Sequence, residues 1–377
     1  MELDAVQTPA LLVRLDRVRA NLAELLRRAG GPERLRPHLK TTKIPQIWAL
    51  LLDAGIVHFK CATTKEAAAL LGLAESRGDG VDLLVAHALR GPNLARLAAL
   101  AAEFPRQRLA LLCEDPAHAA EAAARGLGLF LDLDPGSRRS GVPLEQAERA
   151  AATAAAAGEA LRGWHYYEGE VRDRDSAARQ RACFERYGHL LDALRPLEAG
   201  VGPTRAAELE LVTSGTPAFD AALAYPGFRG RRHRVSAGTV VFHDLTSEGF
   251  GLEGFRFAAT VLATVASAPA PGHVTLDAGS KGVDAACGTP CCAVLGWPGL
   301  EPQEPSEEHL PLVARDGRTP PVGARVELVP RHVCPTVNLY DEALLMEGEE
   351  IVAVVPVAAR GHSTVSSTAR SSSPPAR

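Results

Sequence analysis

Several features that would place this protein among membrane-bound or nucleic-acid-binding proteins are missing from its sequence. No apolar run among the 377 residues approaches the ~20 residues that cross a bilayer. The formal net charge is −4, so no excess of basic residues is available to attract nucleic acid or an anionic membrane surface. The amino terminus also lacks a basic stretch followed by an apolar segment, and no secretory signal is predicted. We therefore expect a cytoplasmic protein without nucleic acid or membrane as a partner.

The cysteines do not have the number or spacing of a disulfide framework. The chain has seven cysteines, an odd number, and it is long enough to form a core without disulfides. Three of them, Cys287, Cys291 and Cys292, are close in sequence, but no fourth ligand follows at a spacing typical of zinc sites. We expect reduced thiols and assign no site to this group.

From residue 8 to residue 242, short apolar segments alternate with longer amphipathic segments rich in alanine and leucine. The apolar segments predict eight strands, which are Arg36–Leu39, Gly55–Cys61, Val81–Ala86, Arg108–Cys113, Leu127–Leu133, Leu161–Tyr167, Glu208–Thr213 and Arg234–Phe242. Nearly continuous apolar strands separated by helices are typical of a parallel sheet buried on both faces. Such units predict a (β/α)8 barrel of the TIM type. An open doubly wound sheet is the alternative, and the absence of Gly-x-Gly-x-x-Gly after the first strand argues against its dinucleotide-binding form.

The sequence changes character after residue 242. Short segments rich in β-branched residues, separated by glycine and proline, predict a β-rich domain over residues 243–357. Residues 358–377 are dominated by serine, threonine, proline and arginine, which predicts a disordered tail. The expected fold class is therefore α/β, with a barrel over residues 8–242 followed by the β-rich domain.

Lys40 is the first candidate for chemistry. It ends the short strand predicted at Arg36–Leu39, and catalytic residues of barrels lie at the carboxyl ends of strands. A partly desolvated lysine beside a second cation, for which Lys43 is the candidate, has a lowered pKa and condenses with aldehydes. A lone lysine in a basic loop is more often a solvated side chain, so this prediction depends on the neighbouring segments.

A turn suited to phosphate lies late in the predicted barrel. Ser214, Gly215 and Thr216 follow the seventh strand and precede a proline, a residue that often opens a helix. Backbone N–H groups and hydroxyls at such a turn bind phosphate, and barrels carry phosphate sites after their late strands. Gly238 and Thr239 on the next strand add donors. An ordinary capped turn is the alternative, but both segments together favour a cofactor that carries a monophosphate.

Two further residues are placed to contact an aromatic cofactor ring. Arg139 lies in the turn after the fifth strand, where its guanidinium can reach a ring oxygen. Tyr167 ends the sixth strand beside Tyr166, and a tyrosine at a barrel mouth can form a wall against a ring. Without a cofactor, the same residues are interpreted as a basic surface turn and as core packing.

His332 and Cys334 form the candidate metal site. Alternate residues of a strand face the same side, so the imidazole and the thiol can converge on one ion. Two protein ligands leave positions for water and substrate, as in catalytic sites. The pair favours zinc, with manganese or magnesium as alternatives. A lone His-x-Cys is a weak motif that arises more often by chance.

In this order, the segments resemble the fold-type III pyridoxal-phosphate enzymes, specifically the group of D-serine dehydratase and D-threonine aldolase, whose barrel is like the N-terminal domain of alanine racemase. The resemblance covers most of residues 8–356. The family pattern Arg-Pro-His-x-Lys-Thr-His-Lys resembles residues 36–43, and Gly-x-x-Arg-x-Gly-Val resembles residues 136–142. Residues 167–169 match the start of Tyr-x-Gly-His, and residues 332–341 resemble the metal-binding segment.

The resemblance implies a role for each candidate. Lys40 would carry pyridoxal 5′-phosphate covalently, and a head-to-tail homodimer is expected. The other contacts of the cofactor would be Arg139, Tyr167, Ser214, Gly215, Thr216, Gly238 and Thr239. A divalent metal beside the β-hydroxyl of the substrate would be bound by His332 and Cys334.

Two positions depart from the family pattern. Thr42 stands where the family commonly has histidine, and Glu170 stands where the aldolases have the histidine implicated in proton transfer at the β-hydroxyl. Glu170 is expected to act as the catalytic base instead if burial raises its pKa. In this family His-x-Cys accompanies dehydratases, and His-x-Asp accompanies aldolases.

The sequence therefore predicts a metal-assisted, pyridoxal-phosphate-dependent lyase of 3-hydroxy D-amino acids. The expected reaction is dehydration and deamination of D-serine or a 3-substituted relative to a 2-oxo acid and ammonia. Retro-aldol cleavage of D-threonine-like substrates to glycine and an aldehyde is the first alternative. An amino-acid racemase ranks lower, because Tyr340 is the only tyrosine of the β-rich domain and lies in the metal segment. A weakly active pyridoxal-phosphate-binding protein is the remaining alternative.

Overall fold

Two β-sheets organise residues 3–364, the part of the chain that the computed structural model describes. The strands are β1 (Ala10–Arg14), β2 (His58–Cys61), β3 (Asp82–Val85), β4 (Arg108–Cys113), β5 (Gly128–Asp134), β6 (Val142–Pro143), β7 (Leu161–Tyr166), β8 (Glu210–Thr213), β9 (Arg232–Val235), β10 (Ala259–Ala270), β11 (His273–Leu276), β12 (Cys292–Val294), β13 (Leu300–Pro302), β14 (Leu310–Ala314), β15 (Arg325–Pro330), β16 (Glu342–Glu347) and β17 (Glu350–Pro356). The α-helices are α1 (Leu15–Ala29), α2 (Pro45–Asp53), α3 (Thr64–Arg77), α4 (Gly91–Glu103), α5 (Pro116–Ala124), α6 (Ala147–Ala157), α7 (Ser176–Val201), α8 (Pro203–Glu208), α9 (Phe219–Ala224), α10 (Leu245–Glu248) and α11 (Val333–Leu339). None of the described helices combines the length and apolar character that a membrane span needs.

The first sheet is parallel and curls into a barrel. Its strands follow the order β2-β3-β4-β5-β7-β8-β9, and the short β6 pairs with β5. The two ends of this order meet through residues 35–38, because Leu35 bridges Val235 of β9 and His38 bridges Lys60 of β2. The strand predicted at this position is wrong as a regular strand: the segment makes two isolated bridges, and Pro37 has no N–H to donate to a neighbour.

Local sequence sets where the helices of the barrel begin. The Thr63 hydroxyl accepts the N–H of Glu66 at 3.1 Å, and the Glu66 carboxylate accepts the N–H of Ala62 at 2.7 Å. Asp115 caps α5 in the same way, accepting the N–H of His118 at 2.8 Å. These bonds satisfy N–H groups that a helix start leaves free, so each helix begins directly after its strand. The helices then cover the outside of the sheet, and the barrel strands are buried almost throughout.

The second sheet contains most of the strands that follow the barrel, together with the first strand of the chain. β1 pairs antiparallel with β10 and parallel with β16. β10 also pairs with β11 and β15, and β16 pairs with β17. The predicted α/β class, a curled parallel sheet with helices followed by a C-terminal strand-rich domain, is confirmed. The domain limits at residues 242 and 357 stay a prediction, and β1 shows that the amino-terminal segment is shared with the second sheet.

The predicted tail begins within the described residues and continues beyond them. The N–H of Ala359 donates to the carbonyl of Lys43 at 3.1 Å, and Ala359 is fully buried. Arg360 pairs with Asp341. This short segment therefore fastens the end of the second domain to the barrel beside the Lys40 turn, whereas residues 365–377 lie outside the described residues.

Candidate active site

A cavity of about 340 Å³ lies between the carboxyl ends of the barrel strands and the start of α11. Most of the residues predicted as site residues line it, and these are Lys40, Tyr167, Gly215, Thr216, Gly238, Thr239, His332 and Cys334. Ser214 is buried behind the cavity wall. Arg139 is exposed outside the lining, with its guanidinium 5.0 Å from the centre of the Tyr167 ring.

One wall of the cavity contains buried hydroxyl groups that have no hydrogen-bond partner among the described residues. These are the hydroxyls of Thr216 and Ser236, which line the cavity, and that of Ser214, which is buried outside the lining, and all three follow the ends of β8 and β9. Buried hydroxyls are normally paired, because an unpaired one loses its bonds to water. A phosphate group would supply acceptor oxygens to all three. This wall therefore fits the monophosphate predicted from the sequence.

The turn that carries these hydroxyls is fixed from behind and leaves room in front. Ser214 adopts a positive φ of 59°, and its N–H donates to the buried carboxylate of Glu168 at 3.3 Å. Burial raises the pKa of Glu168 to about 7, and the hydroxyl of Tyr187 donates to it at 2.6 Å. At Gly238 a Cβ would lie 2.3 Å from the carbonyl oxygen of His38, so only glycine fits there.

Lys40 and Lys43 have different surroundings. Lys40 is exposed at the cavity, and its backbone N–H donates to Nδ1 of His38 at 3.3 Å. Lys43, which the sequence suggested as the neighbouring cation, is outside the cavity lining. Its Nζ pairs with the buried carboxylate of Glu66 at 2.6 Å. Lys43 has a positive φ of 52° just before α2, and its ion pair with Glu66 leaves this amine outside the cavity lining.

The second amine at the cavity is Lys60, which sequence reasoning missed. Its Nζ is buried and lies 3.2 Å from Nε2 of His165, whose Nδ1 lies 2.6 Å from the carboxylate of Asp132. The Ser140 hydroxyl donates to the same carboxylate at 2.9 Å. Burial, and then the charge of Lys40, lower the pKa of Lys60 to about 7. A lysine between Phe59 and Cys61 in strand β2 was the signal available in the sequence.

Replacing Lys60 with methionine is expected to stabilise the cofactor-free protein by about 2 kcal/mol at pH 7. The pKa of Lys60 is about 7 in the folded protein and ordinarily 10.5, so the unfolded chain binds this proton more tightly. The charged form of Lys60 therefore lowers the free energy of unfolding, and this destabilisation is complete below pH 7 and disappears as the pH rises to about 10.5. Methionine removes this destabilisation, and loss of the partner of His165 offsets part of the gain.

Urea unfolding of the cofactor-free Lys60→Met variant, measured across this pH range, checks the prediction. The gain in the free energy of unfolding should be largest near pH 7 and small near pH 10. Lys281→Met is the matched control, because Lys281 has a side chain that is 59% exposed. A gain that stays constant with pH, or a loss of stability at pH 7, would show that the charge of Lys60 is not the cause.

The side chains at the two positions that depart from the family pattern lie outside the cavity lining. Glu170 is exposed and lies 3.3 Å from Nε of Arg186. Thr42 is buried, and its hydroxyl accepts the indole N–H of Trp48 at 2.7 Å. Neither side chain therefore faces the position where the other candidates meet, and the burial that would make Glu170 a base is not observed.

The candidate metal ligands lie at the start of a helix. His332 is the extended residue before α11, and Cys334 is in its first turn, so the expectation that both lie on one strand was wrong. Cys334 is buried, with its Sγ 3.0 Å from the hydroxyl of Thr41 and 3.5 Å from that of Thr239. The thiol of Cys334 raises the pKa of His332 to about 9. Burial acts to raise the pKa of the Cys334 thiol, but the neighbouring His332 outweighs burial, and the pKa of Cys334 is lowered.

Two residues that the sequence had not connected with the metal also lie close to His332. Sγ of Cys287 is 3.6 Å from Nδ1 of His332. The potential ligand atoms of Asp284, Cys287 and His332 all lie within 4.8 Å of one another. Sequence spacing could not identify this group, because 45 residues separate Cys287 from His332.

The barrel, the unpaired hydroxyls, the lysine at the mouth and the His-Cys pair together define a class of protein. They fit a barrel enzyme with a cofactor that carries a phosphate.

Comparisons with known proteins identify the family within this class. Residues 13–210 match the model of the alanine racemase N-terminal domain, and residues 258–346 match the "Putative serine dehydratase domain". The chain is 30% identical to a D-threonine aldolase of Arthrobacter sp., over 95% of this chain and 94% of that one. It is 27% identical to the D-threo-3-hydroxyaspartate dehydratase of Delftia sp., over 88% and 92%. The crystal structure of D-threonine aldolase from Filomicrobium marinum superposes with a TM-score of 0.81 at 27% identity, covering 95% of this chain and 96% of that one.

The protein belongs to the fold-type III pyridoxal-phosphate family, in the group of D-serine dehydratase and D-threonine aldolase. It is accordingly a lyase that depends on pyridoxal phosphate and acts on 3-hydroxy D-amino acids.

Proposed function

We propose that this lyase is a dehydratase, which converts a 3-hydroxy D-amino acid into a 2-oxo acid and ammonia. Lys40 holds the cofactor in this proposal, and His332 and Cys334 hold a divalent metal, for which zinc is the best candidate. The reaction removes one proton from Cα and the hydroxyl from Cβ as water, and hydrolysis then replaces nitrogen by oxygen. Its atoms balance as substrate giving oxo acid plus ammonia.

The observation that supports elimination most directly is the lack of a free carboxylate base among the described residues that line the cavity. Among the described residues, Asp244 is the carboxylate of the cavity lining. One of its oxygens accepts the N–H and the hydroxyl of Ser247 at 2.8 and 2.6 Å, and the other accepts the N–H of Val333 at 3.0 Å. Asp244 therefore positions α10 and α11, and Glu170 faces elsewhere. A leaving hydroxyl needs metal assistance, whereas retro-aldol cleavage needs a base for its proton.

The proposed roles follow from the surroundings of each residue. The hydroxyls of Ser214, Thr216 and Ser236 would hold the phosphate of the cofactor, which would supply a sink for the electrons at Cα when bound. Lys40 lines the cavity and would accept the proton from Cα. Thr41 donates its hydroxyl to the Cys334 thiolate and thereby orients this ligand toward the substrate hydroxyl.

Arg331 is the candidate anchor for a substrate carboxylate. It lines the cavity beside His332, and its side chain makes no ion pair with any described carboxylate. Its contact with the protein is a 3.4 Å bond to the carbonyl of Pro290. A guanidinium with free donors binds carboxylates in the bidentate geometry that lysine cannot offer. We therefore include 3-hydroxy-D-aspartate, which has a second carboxylate, among the proposed substrates beside D-serine.

Retro-aldol cleavage is the second candidate function. The observation in its favour is the 30% identity to a D-threonine aldolase along nearly the whole chain. Racemisation is supported less, because the hydroxyl of Tyr340 donates to the carbonyl of Gly282 at 2.8 Å and Tyr340 is outside the cavity lining. The homodimer expected for the family remains part of the proposal, and light scattering would measure it.

Product analysis decides between these functions. The purified protein with pyridoxal phosphate and zinc is incubated with D-serine, D-threonine and the 3-hydroxy-D-aspartate isomers, and oxo acid, ammonia, glycine and aldehyde are quantified. We expect equal amounts of oxo acid and ammonia. Glycine with an aldehyde, and no oxo acid, would replace the dehydratase by the aldolase. Scrambling at Cα in deuterated water without other products would favour the racemase, and complete inactivity would overturn all three.

A further inference from the structure

We propose that Cys287 and Asp284 are additional ligands of the metal ion at His332. The sequence pattern assigns only His332 and Cys334 to this ion, which is the composition of an open site. The loop between β11 and β12 brings two more donors to the same imidazole. The inference rests on the proposed function in one respect, because that proposal places a metal at His332.

The distance between Cys287 and His332 is the first support. Zinc binds imidazole nitrogen at about 2.0–2.1 Å and thiolate sulfur at about 2.3 Å, so two such ligands at a tetrahedral angle are about 3.6 Å apart. Sγ of Cys287 and Nδ1 of His332 are separated by 3.6 Å. The two atoms therefore already have the separation that a shared zinc ion requires, without a change in the loop.

The carboxylate of Asp284 supplies an independent observation. Its Oδ2 atom is buried and has no hydrogen-bond partner among the described residues. The backbone N–H of Asp284 donates to the Thr336 hydroxyl at 3.2 Å, which holds this residue against α11. A buried carboxylate oxygen without a donor is costly, and a cation bound between Asp284, Cys287 and His332 would satisfy it. Their ligand atoms are all within 4.8 Å of one another.

The larger donor set strengthens the expectation of zinc over the alternative metals. Thiolate and imidazole ligands select zinc, whereas magnesium and manganese prefer oxygen ligands and water. Cys287 and His332 both line the cavity, and an ion held by all four residues would bind the substrate hydroxyl as a fifth ligand, an expansion that catalytic zinc sites undergo. We therefore expect zinc to be bound tightly enough to survive purification, with the sulfur atom of Cys287 in its coordination sphere.

The experiment measures metal binding directly in the full chain, kept reduced. Zinc content after dialysis against a chelator gives the affinity, and X-ray absorption of the zinc form gives the number of sulfur ligands. Cys287→Ser should lower zinc affinity at least about 10-fold and remove one sulfur. Asp284→Asn should lower the affinity without changing the sulfur number. Cys291→Ala, a thiol of the same loop outside the group, should leave both unchanged, and thermal unfolding of the metal-free variants checks their folding.

Wild-type affinity and an unchanged sulfur number in Cys287→Ser would overturn the inference. A protein that binds zinc through Cys287 but forms no oxo acid would overturn the proposed dehydratase and leave this site standing. Oxo-acid formation by a protein whose zinc has no sulfur from Cys287 would overturn the additional metal ligands and support the dehydratase. The two proposals therefore fail in distinguishable ways.

Discussion

The Lys40→Ala variant is expected to lose covalent attachment of pyridoxal phosphate and to lower kcat by at least about 10³-fold. The substitution removes the amine proposed to hold the cofactor and, at the same time, the proposed base for the Cα proton. Lys40 is placed for both roles, because it lines the same cavity as Thr216 and Ser236, whose hydroxyls are proposed to hold the phosphate. The measurements are the visible absorption of the lysine-bound cofactor and the masses of peptides after borohydride reduction.

The control for this experiment is Lys60→Met. Lys60 also lines the cavity and, with its pKa lowered to about 7, is partly unprotonated at neutral pH. We expect Lys60→Met to keep the absorption band and the reduced label on the peptide that contains Lys40. A label on the Lys60 peptide in the wild-type protein, or a retained band in Lys40→Ala, would show that Lys40 is not the lysine that holds the cofactor.

The Arg36→Leu variant is expected to lower the free energy of unfolding by about 3–5 kcal/mol. Arg36 is fully buried, and its guanidinium donates to both carboxylate oxygens of Glu210 at 2.7 Å. It also donates to the Asp82 carboxylate at 3.0 Å and to the carbonyl of Phe59 at 3.1 Å. These bonds join residues 35–38 to β2, β3 and β8. The loss would leave buried carboxylates without this partner, and that penalty is the source of the effect.

Urea unfolding of the cofactor-free protein measures this change. Arg106→Leu is the control, because Arg106 pairs with Glu75 on the surface and such pairs contribute at most about 1 kcal/mol. The double variant Arg36→Leu/Glu210→Gln should be less destabilised than the sum of its single changes, since one unpaired charge is removed. A cost below about 1 kcal/mol for Arg36→Leu would contradict our view that this network closes the barrel.

Much of the candidate site could be predicted because its residues occupy fixed places relative to barrel strands. Gly215 and Gly238 follow consecutive strands, and neighbouring parallel strands bring their carboxyl ends to one edge. The order of the segments along the chain is then enough to place them around one opening. Lys40 follows the same logic, although its strand is reduced to two bridges.

Other parts of the site depended on directions that a linear pattern does not contain. Glu170 occupies the histidine position of the Tyr-x-Gly-His pattern, yet it pairs with Arg186 on α7. Lys43 stands three residues after Lys40, yet its ion pair with Glu66 takes it out of the cavity lining. Both results come from long-range partners, which compete with the local pattern for the same side chain.

The sequence by itself determined the alternation of strands and helices, the Ser-Gly-Thr turn after β8, the lysine at the barrel mouth and the His-x-Cys pair. These are local features, because strand burial, turn conformation and spacing act within a few residues. Only the tertiary structure decided that Lys60 shares the cavity with Lys40 and that Cys287 approaches His332. The physical reason is that barrel closure and loop packing join residues that are distant in sequence, and no local periodicity encodes those meetings.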